Sequence, residues 1–348
     1  GHLKEALVCF DQMKQEGVSP DVFTYASALK ACTGLGVLEK GRKIHDEVSM
    51  RGMEGHFLVG NTLINMYSKS GLILKAKEQF EKLKVRTMVS WTALIVGYAD
   101  NGYPKEALHC LEEMQREGIS ADAATYICSL KACCCLGAIG KGREIHGEIC
   151  KSGFEDDTLI STLIDMYAKS GSLVEARYLF CKLRDGDVVL WTSLIAGYAE
   201  NEQSEEALRL FAQMQHCAIY PDNVTFAFVL KACGSIGAQG KGQEIHTILA
   251  TGEMELDLLS GNSLIDMYVK CGMISNAHEA FNKLSTRDVA SWTTLMTGFV
   301  EHHFNREALD CFEKIPYDNI SPDEIAYSCA LKACGNSRAI SKAEEIHA

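Results

Sequence analysis

The sequence predicts an all-α fold, a solenoid of stacked helical hairpins, on three observations. First, its three tryptophans, Trp91, Trp191 and Trp292, stand 100 and 101 residues apart. Each lies in a matching phrase: Ser90-Trp91-Thr92-Ala93-Leu94-Ile95, Leu190-Trp191-Thr192-Ser193-Leu194-Ile195 and Ser291-Trp292-Thr293-Thr294-Leu295-Met296. Second, two more phrases keep the same step. Leu-Lys-Ala-Cys recurs at 29–32, 130–133, 230–233 and 331–334, and Leu-Ile-(Asn/Asp)-Met-Tyr at 63–67, 163–167 and 264–268. Third, apolar residues recur at helical spacing, and strand-like alternation is absent.

Each long period contains three related units. They run 22–56, 57–87 and 88–122; then 123–156, 157–187 and 188–222; then 223–257, 258–288 and 289–323, with partial units at 1–21 and 324–348. Their lengths are 35 (once 34), 31 and 35 residues. Every unit reads as two helices. In 88–122, Trp91, Leu94, Ile95 and Tyr98 fall at i, i+3, i+4 and i+7. Asn101-Gly102 stops that helix, and Pro104 suits the first turn of the next. The second helix sets Ala107, Leu108, Leu111 and Met114 on one side and ends near Gly118. Pro20-Asp21, Pro221-Asp222 and Pro322-Asp323 break the chain before a new unit. A hairpin of this size cannot bury its apolar face alone, so neighbours must stack into one continuous array over 1–348.

Composition narrows the function. The net charge of −12 over 348 residues excludes a uniformly basic nucleic-acid-binding surface but leaves room for a local basic stripe. No apolar run reaches the roughly 18–20 residues needed to cross a bilayer. The 15 cysteines, an odd number in a chain of this length, read as reduced intracellular thiols. The chain opens Gly1-His2-Leu3-Lys4, with no initiator Met and no leader pattern, so a targeting segment is expected outside it.

The alternation of lengths and the phrases together resemble pentatricopeptide repeats of the PLS class, whose long, short and standard motifs come in triplets. Long motifs are similar at Leu29-Lys30-Ala31-Cys32 with Gly41-Arg42-Lys43-Ile44-His45. Short motifs are similar at Leu63-Ile64-Asn65-Met66-Tyr67-Ser68-Lys69-Ser70-Gly71. Standard motifs are similar at Trp91-Thr92-Ala93-Leu94-Ile95, Glu106-Ala107-Leu108, Met114 and Asp122. Tetratricopeptide repeats differ, keeping one length and a Trp-x2-Leu-Gly-x2-Tyr pattern. The resemblance covers nearly the whole chain. It implies a right-handed superhelical α-solenoid that binds single-stranded RNA in a plant mitochondrion or chloroplast, where many members specify sites of C-to-U editing.

The resemblance also implies base readers at the fifth and last positions of each motif, one base per repeat. In standard motifs these are Thr92 with Asp122, Thr192 with Asp222 and Thr293 with Asp323; in short motifs, Asn61 with Thr87, Ser161 with Asp187 and Asn262 with Asp288. Thr and Ser are small and leave room for a purine, Asp accepts from base N–H groups, and Asn fills more space while donating and accepting. The family's pattern implies G for Thr/Asp, a purine with G preferred for Ser/Asp, and U for Asn/Asp. Asn61 with Thr87 departs from the common pairs and is assigned a pyrimidine. Long motifs carry Ala26/His56, Ile127/Asp156 and Ala227/Asp257, where Ala and Ile cannot read a base edge. The implied footprint along residues 22–323 is N-Y-G-N-R-G-N-U-G. Second-position residues Leu58, Val89, Thr158, Val189, Leu259 and Ala290 would sandwich bases without selecting among them.

Positive charge follows the same register. Lys69, Lys169 and Lys270 hold position thirteen of the short motifs, and Lys30, Lys131, Lys231 and Lys332 position nine of the long ones. Steps of four put positions five, nine and thirteen on one helix face, so these lysines are candidates to neutralise phosphates. Acidic second-helix residues such as Glu112, Glu113, Glu205 and Glu206 would carry the negative balance outside.

Other motifs read as structural. Cys and His stand thirteen apart in every long motif (Cys32/His45, Cys133/His146, Cys233/His246, Cys334/His347). Zinc wants four ligands, and each unit supplies two, so buried Cys and packed His are expected and no metal. His45-Asp46-Glu47 and His146-Gly147-Glu148 spell half of a zinc deaminase signature, but the Pro-Cys-x-x-Cys partner is absent from the sequence and the third copy, His246-Thr247-Ile248, lacks the Glu. Gly137 to Gly142 does not match a phosphate loop. The tryptophans read as core. No catalytic residue and no cofactor is expected within the chain. A deaminase would lie downstream in cis or act in trans, and accessory organellar editing proteins docking on long motifs are a partner class the resemblance implies. The alternative is a helical protein–protein scaffold. Asp at 122, 187, 222, 257, 288 and 323 is expected to separate the two readings, because a scaffold has no need for a carboxylate at the end of a unit.

Overall fold

A computed structural model describes residues 2–153, 156–183, 186–251, 256–318 and 320–347. Among these, the secondary structure is helical throughout. The first helices of successive hairpins are Val22–Leu35, Phe57–Lys69, Met88–Asp100, Ala123–Leu136, Asp157–Lys169, Val188–Glu200, Asn223–Ser235, Leu258–Lys270, Val289–Glu301 and Glu324–Ser337. The second helices are Leu38–Met50, Ile73–Glu81, Pro104–Arg116, Ile139–Ser152, Leu173–Lys182, Ser204–His216, Gln239–Thr251, Ile274–Lys283 and Asn305–Lys314, with Leu3–Gln15 before them and Ile340–His347 after. Contacts gather the chain into two compact units, residues 1–166 and 167–348. Within each, a first helix packs on its own second helix and on the first helix of the next hairpin. No described helix is long and apolar enough to cross a membrane.

Turn chemistry explains the helix ends. First helices, and the second helices of long and standard motifs, commonly close on a residue with positive φ that is mostly glycine: Gly71, Gly102, Gly118, Gly137 and Gly237 have φ between 62° and 79°. Four slots break the pattern. Glu202 (61°) and His303 (66°) stand where Gly102 stands in the first triplet, Ala218 (56°) where Gly118 stands, and Arg338 (57°) where Gly137 and Gly237 stand. A Cβ in this region costs roughly 1–2 kcal/mol, partly offset by the greater unfolded-state entropy of glycine. Glu202→Gly, Ala218→Gly and Arg338→Gly are therefore each expected to add about 0.5–1 kcal/mol of stability. Chemical-denaturation midpoints measure this, and a lowered midpoint would contradict it.

The tryptophans belong to the core. Trp91, Trp191 and Trp292 are buried, each with its ring edge-on to a phenylalanine of the preceding hairpin: Phe80 at 4.6 Å, Phe180 at 4.7 Å and Phe281 at 4.6 Å. In the first and third copies the indole N–H donates to a carboxylate, Glu117 (3.3 Å) or Asp318 (3.1 Å). The same carboxylate meets an arginine, Arg86 or Arg287, whose guanidinium lies over that phenylalanine. The second copy lacks both polar partners. Gly186 and Cys217 occupy their slots, and the buried Trp191 indole nitrogen has no hydrogen-bond partner among the described residues. Cys217→Glu is expected to stabilise by about 1 kcal/mol by pairing that nitrogen, with Gly186→Arg adding a favourable coupling of about 0.5 kcal/mol in a double-mutant cycle. An unchanged unfolding midpoint in Cys217→Glu would count against the pairing.

All 15 cysteines are free thiols. Cys32, Cys133, Cys233 and Cys334 are buried, and burial pushes their thiols up, Cys133 to about 11 and Cys233 to about 12. Two of the long-motif histidines pair forward into the next motif. His45 Nδ1 meets the Tyr67 hydroxyl at 2.6 Å while its Nε2 meets Glu54 at 3.1 Å, and His246 Nδ1 meets Tyr268 at 2.7 Å. Burial lowers His45 more than neighbouring Glu54 raises it. No described group of His, Cys, Asp and Glu gathers at metal-holding distance.

The second-helix acids are not a bare outer face. Glu112 pairs with Lys141 (3.1 Å) and Glu206 with Arg177 (3.1 Å), joining successive hairpins.

Candidate functional site

The last residue of each motif stands directly before the first helix of the next and caps it. Asp122, Asp222, Asp257, Asp288 and Asp323 accept the backbone N–H of the third residue on, at 2.7–2.9 Å, and Asp187 does so at 3.0 Å. Thr87 forms a capping box with Ser90, and His56 Nδ1 accepts from the Leu58 N–H. Capping by Asp satisfies a helix's orphan donors and is worth about 1 kcal/mol in any helical protein. This corrects the expectation that a scaffold has no use for these carboxylates: their regularity has a structural cause, and they do not by themselves separate the two functions.

The fold does bring two reader pairs together. The Thr92 hydroxyl lies 3.3 Å from Asp122 Oδ1 and 2.8 Å from the Thr125 hydroxyl. Asn262 Nδ2 donates to Asp288 Oδ1 at 3.2 Å. Burial would raise Asp288, but the Ser291 backbone and hydroxyl and the Asn262 amide together outweigh it and hold the carboxyl low. The Asn61 and Asn262 side-chain oxygens are buried acceptors without a partner among the described residues.

Access to the fifth positions is uneven. Asn61, Thr92, Ser161 and Asn262 are half-buried. Thr192 and Thr293 are only 8% and 6% exposed, so these two implied readers are closed off where the other four are partly open. Both are drawn into packing by their own hydroxyls. Thr192 donates to the Val188 carbonyl (2.7 Å) and meets Thr225 at 2.6 Å, while Thr293 donates to Ala290 (3.2 Å). Ser161 donates to Asp157 O at 2.5 Å; it lies in the first unit and Asp187 in the second. Ala26 and Ala227 are buried and Ile127 half-buried.

The second positions behave otherwise. Val89, Val189 and Leu259 are 50–62% exposed, Thr158 and Ala290 are exposed, and Leu58 is half-buried. Lys69, Lys169 and Lys270 are exposed, as are Lys30, Lys131, Lys231 and Lys332. Two open clefts gather these groups. One of about 570 Å³ in the first unit is lined by Lys69, Val89, Thr92 and Asp122. One of about 460 Å³ in the second is lined by Lys231, Leu259, Asn262, Lys270 and Asp288. Each therefore holds a polar pair, an exposed apolar side chain and an ammonium group. Lys270 also pairs with Asp266 (2.7 Å).

The sequence reading passed over one feature of this face. Position thirteen, lysine in the short motifs, is Asp100, Glu200 and Glu301 in the standard ones, all exposed, and Asp100 lines the first cleft. Comparing that register position between motif types would have found it.

Fold and face define a helical-repeat array that carries polar pairs, apolar side chains and lysines on the first helices of its hairpins. The PPR repeat family matches residues 1–34, 86–135 and 186–235, and the PPR repeat matches 61–87, 160–188, 262–289 and 290–320. A putative pentatricopeptide repeat-containing protein of Arabidopsis thaliana is 34% identical over 99% of the chain and 51% of its own length. A mitochondrial one from the same plant is 35% identical over 96% and 60%. Among solved structures, the pentatricopeptide repeat protein PPR10 in complex with an 18-nt psaJ RNA element superposes with a TM-score of 0.79 at 22% identity, over 99% of this chain and 52% of that one. The chain belongs to the pentatricopeptide repeat family. It spans about half the length of the curated relatives it matches.

Proposed function

We propose that this chain is a single-stranded RNA-binding tract of the PLS class. On this reading its short and standard motifs each address one base and its long motifs space the array. The observation that carries the reading is the content of the two clefts: Thr92/Asp122 beside Val89 and Lys69, and Asn262/Asp288 beside Leu259 and Lys270. A polar pair can select a base edge, an exposed aliphatic side chain can cover a base face, and an ammonium group can neutralise a phosphate. The same three kinds of group gather in a cleft of each unit, which is the combination a nucleotide requires. The unpaired acceptors of Asn61 and Asn262 suit a base N–H donor. PPR10, which shares the fold, was solved with bound RNA.

The full protein is then a guide for organellar C-to-U editing, its deaminase supplied downstream in cis or in trans and its long motifs available to accessory editing proteins. The named locations of relatives, mitochondrial and chloroplastic, support an organelle. The test is a mobility shift with the nine-base RNA N-Y-G-N-R-G-N-U-G against scrambled RNA and duplex DNA across a salt series. Replacing the third-base G by A should cost about 1–3 kcal/mol of affinity. Equal affinity for all RNAs would remove the reader assignment, and no RNA binding by a folded chain would favour the scaffold.

A further inference from the structure

We propose that Asn101 is a positioning residue that sets the step between the base addressed by the short motif 57–87 and the base addressed by the standard motif 88–122; this rests on the RNA-binding reading above. Each asparagine follows the last turn of a standard motif's first helix. Asn101 Nδ2 donates to two carbonyls, Gly97 of its own helix (2.7 Å) and Ser68 of the preceding short motif's first helix (2.9 Å). Asn201 repeats this with Gly197 (2.8 Å) and Ala168 (3.4 Å). One amide thus joins the ends of two adjacent helices.

The same turn is also a close approach of those helices. A Cβ on Gly97 or Gly197 would come within 3.0 Å of Ser68 or Ala168. Close packing sets the separation of the helices, and the amide sets their relative height. Asn61 and Thr92 lie one to two turns back along these two helices, so the junction governs how far apart they stand. The long motifs have Leu35, Leu136 and Ile236 in the asparagine slot, side chains that cannot donate. The third triplet substitutes His302, whose Nε2 lies 3.2 Å from the Val269 carbonyl, so the donor is kept while the residue changes.

The experiment compares the nine-base RNA with a ten-base RNA that has one adenosine inserted between its second and third bases. The unaltered chain should prefer the nine-base RNA by about tenfold or more. Asn101→Ala, with its helical circular-dichroism spectrum retained, should reduce that preference to below about threefold, while Asn101→His keeps it. Asn201→Ala, at the same slot of a different repeat, should leave this preference intact. Equal weakening of both RNAs by Asn101→Ala, or an unchanged ratio, would overturn the positioning role while leaving RNA binding standing. Failure of the unaltered chain to bind either RNA would overturn the RNA reading, and this role with it.

Discussion

Replacing Lys69, Lys169 and Lys270 together by Ala is expected to reduce the slope of log affinity against log salt by about 2, since each single-strand phosphate neutralised contributes about 0.7. At low salt the affinity itself should fall by about tenfold to a hundredfold. The three do not contribute equally. Lys270 already pairs with Asp266, so it exchanges one anion for another, whereas Lys69 lines the cleft that holds Thr92 and Asp122. The standard motifs oppose the effect. Asp100, Glu200 and Glu301 present carboxylates at the lysine register, so a phosphate backbone crossing this face meets alternating signs. That alternation disfavours indiscriminate binding of polyanions and agrees with the net charge of −12. Titration of labelled RNA at several salt concentrations measures the slope, and an unchanged slope would put these lysines away from the RNA.

Trp91→Ala is expected to cost about 3–5 kcal/mol of stability, the largest single-site loss predicted for this chain. The indole is 1% exposed, packs edge-on against Phe80 and donates to Glu117, so truncation opens a cavity and also leaves the Arg86–Glu117 pair without its third member. Trp191→Ala should cost about 1 kcal/mol less, because its indole nitrogen has no partner to lose among the described residues. Urea unfolding monitored separately by signals from the two compact units distinguishes a local from a global loss. Equal losses at the two positions would refute the account of the second copy.

Helix positions were largely legible in the sequence because local chemistry determines them. A Pro-Asp pair or a lone Asp starts a first helix through its own side chain, and a glycine with positive φ closes it. Spacing of 3.6 marked Trp91, Leu94, Ile95 and Tyr98 as one buried face, and all four are buried. The candidate site was legible only as a register. Alignment of repeats set Thr92 and Asp122 in the same class as Thr192 and Asp222, but it could not tell that the first pair opens onto a cleft while Thr192 turns its hydroxyl to Val188 and Thr225. Nor could it separate a carboxylate that caps a helix from one kept for a ligand.

By itself, then, the sequence determined the helical class, the hairpin repeat and membership of a family, because periodicity and turn chemistry act over a few residues. Only the tertiary structure decided which members of a repeated slot are reachable, which carboxylates are already engaged, and that Asn101 joins two helices. Those outcomes depend on side chains some 30 residues apart meeting across stacked hairpins, and no local rule contains that distance.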